Sequence, residues 1–221
     1  WLLAEQQAEH LRNTQPMIAD GNIDVVVSNC VLNLVNPADR LQLFAELQRV
    51  LKPGGRAVIS DIVSNQPVPE ALRNDAELWS GCISGAFEDH QFIQAFVDAG
   101  LGKVEILDWQ SEPWKVVEGI EFRSMTIRAW KPLGPEDQTY SGQSAIYRGP
   151  WKEVVDDQGN VLLRGERMTV TDGQMKEYEQ APYGADLILL DGEGQLTPTK
   201  QNPSNSGLPI ADYCSPGGDC C

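Results

Sequence analysis

Residues 23–63 constrain the fold more than any other stretch of the chain. Ile23-Asp24-Val25-Val26-Val27 is short, β-branched and almost wholly apolar, the pattern of a parallel strand buried on both faces. Pro37 then opens a helix, with Asn36 placed to cap it. Within residues 38–52, Leu41, Phe44, Leu47, Val50 and Leu51 recur at helical spacing and form one stripe. Lys52 suits the negative end of that helix, and Pro53-Gly54-Gly55 stops it. Residues 56–63, RAVISDIV, read as a second buried strand. Strand, helix and strand joined by short turns make the right-handed crossover unit of a parallel sheet.

Beyond this unit the pattern continues and then changes. Residues 69–87 (PEALRNDAELWSGCISGAF) read as a helix, and residues 89–99 as an amphipathic helix closed by Gly100. KVEILDWQ (103–110) and FRSMTIRAW (122–130) read as strands. Residues 131–143 are rich in Pro, Gly and polar groups, a linker signal, and 145–170 alternate strands with turns, with a hairpin at Asp156-Asp157-Gln158-Gly159-Asn160. The expected division is an α/β domain at 1–131, a small β-rich region at 132–191 and a flexible, cysteine-containing tail at 192–221. There is no internal repeat.

Charge narrows the function. The 221 residues carry 32 acidic against 17 basic side chains, a formal net charge of −15. That balance disfavours nucleic acid and anionic membrane surfaces, both of which need a basic face. No apolar run approaches the roughly 18–20 residues that span a bilayer. The first residues lack the basic start and apolar core of a signal peptide, so a soluble, cytoplasmic, monomeric protein is expected. The start at Trp1 fits a fragment or a processed product. Five cysteines, Cys30, Cys82, Cys214, Cys220 and Cys221, are odd in number and widely spaced, which points to reduced thiols rather than a disulfide framework.

Two of those thiols fall where ligands bind in α/β sheets, beyond the carboxyl ends of strands. Cys30 follows the first strand directly, and Cys82 lies in the connection after the second, among the small residues Ser80, Gly81, Ser84, Gly85 and Ala86. Position alone leaves two readings open for each: a small packed hydrophobe, or a ligand for a soft, thiophilic ion. Two thiols at one sheet edge favour the second. The chain has no G-x-G-x-G cradle and no C-x-x-C pair. His10 and His90 are far apart in sequence and read as surface residues, and Glu166, Arg167 and Arg123 as surface ion-pairing groups. The vicinal Cys220-Cys221 reads as an exposed, redox-sensitive end.

The sequence DVVVSNCVLNLV, a helix ending in RVLKPGG, then RAVISDIV and LWSGCISGA, resembles the S-adenosylmethionine-dependent arsenite methyltransferases over residues 1–130. RVLKPGG before a strand marks only the class I methyltransferase superfamily, whereas SNCVLNL together with GCISGA is much more specific. The resemblance implies the C-terminal part of a doubly wound, Rossmann-like methyltransferase sheet. It implies S-adenosyl-L-methionine as cofactor and arsenite or its thiol conjugates as small-molecule substrate. By position, Cys30 and Cys82 would be the As(III) ligands. Gln7, Ala8 and Glu9 would match the adenine-contacting turn, with Gln7 in place of an acidic residue, and Ser28 and Asn29 would border the methionine end of the cofactor. The family's Gly-rich loop and ribose-binding acid lie upstream of the residues present. Feeble cofactor affinity, little turnover and poor solubility are therefore expected of these 221 residues alone. The alternatives are a class I methyltransferase for another small molecule, with both cysteines only packing, and a non-catalytic, thiol-rich metalloid-binding protein.

Overall fold

The computed structural model describes residues 16–134, 138–180 and 182–197. Contacts divide the chain at Pro132/Leu133 into two units.

The first unit is a mixed sheet with helices. Its elements are β1 (Ile23–Asn29), α1 (Arg40–Val50), β2 (Leu51–Ser64), α2 (Glu70–Arg73), α3 (Ala76–Ser80), β3 (Phe87–Glu88), α4 (Asp89–Asp98), β4 (Gly102–Trp109), β5 (Lys115–Val117) and β6 (Ile120–Trp130). The strand order is β1-β2-β6-β4, with β3 beside β2 and β5 beside β6. β1 and β2 run parallel, in register from Val25↔Arg56 to Asn29↔Ser60. β6 inserts antiparallel between β2 and β4. This is a Rossmann-like α/β arrangement with one reversed strand.

β2 is the central strand, and its alternation divides the core. Ala57, Ile59 and Val63 face one side, where they join Met125, Ile127 and Ala129 of β6 and the helix residues Phe44, Leu47, Phe92 and Phe96. Phe44 and Phe96 meet edge to face with centroids 5.1 Å apart, and Phe92 and Phe96 at 5.4 Å. Ile62 faces the other side, with Ile120 and Phe122 of β6 and the loop residues Val68, Leu72, Cys82 and Ile83. Cys82, Ile83 and the Cys30 side chain therefore pack on the sheet face opposite α1 and α4, whereas Leu32, two residues after Cys30, packs on the α1 side.

Several local expectations change. β1 is not buried on both faces: Val27 is 71 % exposed, because among the described residues β1 pairs on one edge only. Asn36 does cap, accepting from the Ala38 N–H, but the first turn is a 3-10 turn, Pro37–Asp39. The helix ends at Val50, and Leu51 is already extended, so Pro53-Gly54-Gly55 lies within β2 rather than terminating the helix. Leu41 is exposed and leaves the apolar stripe. The helix expected over 69–87 is two short ones, because Asp75 caps a new start by accepting from the Glu77 and Leu78 N–H groups. Arg123, expected at the surface, is largely buried and pairs with Glu121.

The second unit contains β7 (Ser144–Tyr147), β8 (Glu153–Val155), β9 (Val161–Leu163), β10 (Arg167–Thr169), α5 (Asp172–Tyr178) and β11 (Leu187–Leu190). β10-β7-β11 form an antiparallel sheet, and β8-β9 the hairpin expected at 156–160. Asp156 fixes that turn by accepting from the Gln158 and Asn160 N–H groups at 3.0 and 2.8 Å. The Tyr178 hydroxyl donates to the same carboxylate at 2.6 Å. A Thr171/Gln174 capping box starts α5. Among the described residues, no helix is long and apolar enough to cross a membrane.

Candidate functional site

The carboxyl ends of β1 and β2 each deliver a loop to the same place. Ser28 and Asn29 are the last residues of β1, paired with Ile59 and Ser60. Cys30 extends that ladder by one bond, its N–H donating to the Ser60 carbonyl at 2.9 Å. There the backbone turns into the left-handed region, with φ +52° at Cys30. A 3-10 turn over Leu32–Leu34 follows.

Cys82 sits at the end of α3. The Cys82 N–H donates to the Trp79 carbonyl at 3.0 Å and the Ile83 N–H to the Leu78 carbonyl at 2.9 Å. That bond pair is the Schellman helix stop, which places a left-handed residue at the position Cys82 occupies. Its φ is +59°. Glycine ordinarily fills this position, and a side chain there costs about 1–2 kcal/mol. Gly81 lies one residue too early to relieve it, with φ −85°. Both candidate ligands are thus non-glycine residues in a conformation that L-residues seldom adopt, a condition that clusters at functional sites.

The two loops meet. The Cys82 thiol is buried and donates to the Cys30 carbonyl oxygen at 3.7 Å. The half-buried Cys30 thiol lies 3.6 Å from Asn29 Oδ1. Asn33, fully buried, spans the gap: its Nδ2 donates to the Ile62 carbonyl at 2.7 Å and to the Cys82 carbonyl at 3.1 Å. Those two carbonyls fix the orientation of the amide, since a flip would set oxygen against oxygen. Among the described residues Asn33 Oδ1 is left buried without a hydrogen-bond partner, at a cost of about 1–3 kcal/mol.

Two charged groups brace the same loops. Asp61, on β2, accepts the Ile62 N–H at 2.8 Å and the Asn33 N–H at 3.3 Å. Burial pushes its carboxyl up to about 6, while the backbone N–H groups of Ile62, Asn33 and Leu32 and the Arg40 charge act in the opposite direction. Arg40 joins the two loops directly, donating from Nη2 to the Gly85 carbonyl at 2.6 Å and from Nε to the Val35 carbonyl at 3.3 Å. Its guanidinium lies 4.4 Å from the Phe87 ring centroid. Gly85 permits this closure, because a Cβ there would overlap the Asn33 carbonyl oxygen. The room left by the small residues around Cys82 is used for that backbone approach.

Sequence reasoning missed Asn33, Asp61 and Arg40. The available signal was a polar residue interrupting each apolar run, Asn33 in CVLNLV and Asp61 in AVISDIV. The expected adenine-side residues Gln7, Ala8 and Glu9 lie outside the described residues, as do His10, Cys214, Cys220 and Cys221. Ser28 and Asn29 stand at the sheet edge beside Cys30, with Asn29 exposed.

A family model described as a methyltransferase domain matches residues 5–115, half of the chain, and a domain of unknown function (DUF8838) matches residues 135–210. An arsenite methyltransferase of Halobacterium salinarum is 38% identical over 89 residues, covering 40% of this chain and 22% of that protein. One of Aquipseudomonas alcaligenes is 36% identical over 142 residues, covering 60% and 40%. The Homo sapiens arsenite methyltransferase is 28% identical over 200 residues, covering 87% and 50%. The chain spans about half or less of the length of these curated relatives. The crystal structure of an arsenic (III) S-adenosylmethionine methyltransferase from Chlamydomonas reinhardtii shares the fold, with a TM-score of 0.53, 22% identity and coverage of 86% of this chain and 66% of that one. The chain belongs to the methyltransferase-domain family, and the three curated relatives described above are arsenite methyltransferases.

Proposed function

We propose that this chain carries the arsenic-binding half of an S-adenosylmethionine-dependent arsenite methyltransferase, with Cys30 and Cys82 as the As(III) ligands. The observation that carries the reading is the meeting of two cysteines from separate loops, both in the left-handed conformation, with the Cys82 thiol 3.7 Å from the Cys30 carbonyl. Arsenous acid would bind by exchange: two S–H and two As–O bonds break, two As–S bonds form, and two waters leave without oxidation or reduction. Thiolates suit this soft ion, and two of them on braced loops leave its lone pair unshared.

Ser28 and Asn29 fit one corner of the cofactor, since Asn29 is an exposed amide at the carboxyl end of β1 beside Cys30. When bound there, S-adenosylmethionine supplies an electrophilic sulfonium methyl group. The chain's own contribution is to hold the arsenic at a fixed place on the sheet edge and to keep water from one side of it, through the buried Cys82, Ile83 and Phe122. Neither thiol acts as a nucleophile toward carbon.

The test is arsenite binding by Cys30→Ser and Cys82→Ser. Each substitution replaces a soft, ionisable sulfur by a hard hydroxyl and should lower As(III) affinity at least tenfold, with the circular dichroism spectrum retained. Parental binding by both variants would refute the assignment. Calorimetric titration with S-adenosylmethionine, comparing Asn29→Ala with the parent, tests the cofactor side.

A further inference from the structure

Asn33 holds a position that core packing alone does not explain. It is fully buried, its amide oxygen has no partner among the described residues, and an apolar side chain of similar size would leave no such orphan. What the amide does provide is two N–H donors aimed at two different pieces of chain: the Ile62 carbonyl of β2 at 2.7 Å and the Cys82 carbonyl at 3.1 Å. Its own backbone belongs to a third piece, the turn that begins three residues earlier at Cys30. That turn is stiff, closed by the Leu34 N–H on the Val31 carbonyl and the Val35 N–H on the Leu32 carbonyl, and anchored by the Asn33 N–H on Asp61. One end of Asn33 is therefore tied to the Cys30 loop and the other to the backbone of Cys82.

We propose that Asn33 is a positioning residue for the two thiols, its amide setting the separation of the Cys30 and Cys82 loops and hence their capacity to close on one As(III). The inference rests on the arsenic-binding reading of the thiols and adds to it a residue that touches neither sulfur. A bidentate ligand site gains affinity from the second sulfur only if that sulfur is already in place. Asn33 makes the second attachment close to intramolecular. Without it, the Cys82 carbonyl loses its bond to the facing loop, and the left-handed Cys82 turn is freed to relax toward a more common conformation. A reaction that needs only one thiol has no use for that spacing.

The experiment uses the 221-residue chain carrying Cys214→Ser, Cys220→Ser and Cys221→Ser, so that Cys30 and Cys82 are its only thiols. Arsenite binding is measured by equilibrium dialysis, with arsenic counted by mass spectrometry. The rate of Cys30 alkylation by N-ethylmaleimide, a one-thiol reaction, is measured alongside. Asn33→Ala is expected to weaken arsenite binding roughly tenfold or more, the size of two lost hydrogen bonds. The same variant should alkylate at Cys30 within about twofold of the parent rate. Asn33→Ser, which keeps one short donor, should fall between. Parental arsenite affinity in both Asn33 variants, with affinity lost in Cys30→Ser, would overturn the positioning role while leaving the thiol site standing. Parental affinity in Cys30→Ser would overturn the arsenic reading and this inference with it. Failure of both Asn33 variants to fold would also overturn it, because the amide would then serve the domain as a whole.

Discussion

Gly85→Ala is the sharpest test of how the two loops are packed. The added methyl would overlap the Asn33 carbonyl oxygen and lie 2.9 Å from both the Asn33 carbonyl carbon and Arg40 Nη2. The arginine end could swing away, but the carbonyl cannot. Asn33 is held at its N–H by Asp61 and at its side chain by Ile62 and Cys82. Relief must come from moving the Gly85 strand of the loop outward, which stretches the 2.6 Å bond from Arg40 to the Gly85 carbonyl and the 3.1 Å bond from Asn33 to Cys82. Overpacking alone costs about 1–3 kcal/mol. A weakened bond to a charged donor adds about 1.5–3 kcal/mol when fully lost. The expected destabilisation is about 3–5 kcal/mol, in the upper range for a single substitution. Urea denaturation followed by circular dichroism reads it: with a slope of about 1–3 kcal/mol per molar urea, the midpoint should fall by about 1 M or more. A change within about 0.5 kcal/mol, the range of an uninvolved surface site, would refute the close approach of residue 85 to the Asn33 carbonyl.

Asp61 makes stability depend on pH in an unusual direction for a carboxylate. Burial raises its folded value to about 6, above the ordinary value of about 4 for an unfolded aspartate, so its contribution is complete below about pH 4 and is lost as pH rises through 6, by about 3 kcal/mol at 1.36 kcal/mol per pKa unit. Denaturant titrations at several pH values should show that decline in the parent and not in Asp61→Asn; equal slopes in both would refute it. Cys82→Gly should remove the left-handed strain and a buried thiol together, two effects of about 1 kcal/mol each and opposite sign. Its melting midpoint should therefore stay near the parent's while arsenite retention in dialysis collapses; unchanged retention would exclude Cys82 as a ligand. Phe96→Ala, at the centre of the Phe44–Phe92–Phe96 cluster, should cost about 3–5 kcal/mol in denaturant unfolding. A loss under about 1 kcal/mol there would mean the α1–α4 core is not as described.

The parts of the fold legible in the sequence are those where neighbours along the chain decide the conformation. IDVVV and RAVISDIV read as strands because β-branched residues run together, and DHQFIQAFVDAG reads as a helix because its apolar period and closing glycine are local. What was misread depended on distant pairing. β1 looks like a central strand by composition but carries an exposed Val27, because pairing partners decide burial and are not encoded locally. The reversed direction of β6 is a property of the sheet, invisible in FRSMTIRAW itself. The break between α2 and α3 was locally encoded by Asp75, a capping residue hidden inside an otherwise continuous apolar period.

The site divides along the same line, with one instructive reversal. The two thiols could be proposed from their place after strands and from resemblance, but the residues bracing their loops could not. Asn33 finds its partners 28 to 49 positions away, so the sequence displays only an unexplained polar residue in an apolar run. Gly81 reverses the usual inference. A glycine near a helix end is ordinarily the left-handed residue, and in GCISGA that reasoning would assign the positive φ to Gly81. The hydrogen bonds instead place it at Cys82, one residue later, where a glycine would fit without strain. A turn that bypasses an available glycine to strain a cysteine is not arranged for the stability of the helix. The left-handed φ re-aims the Cα–Cβ bond of residue 82, and the thiol so directed comes to rest 3.7 Å from the backbone of the other cysteine. Lys103 and Glu118 share the left-handed conformation away from these loops, so it is strain at Cys82 together with its proximity to Cys30 that supports the proposed ligand role over a purely volume-filling one.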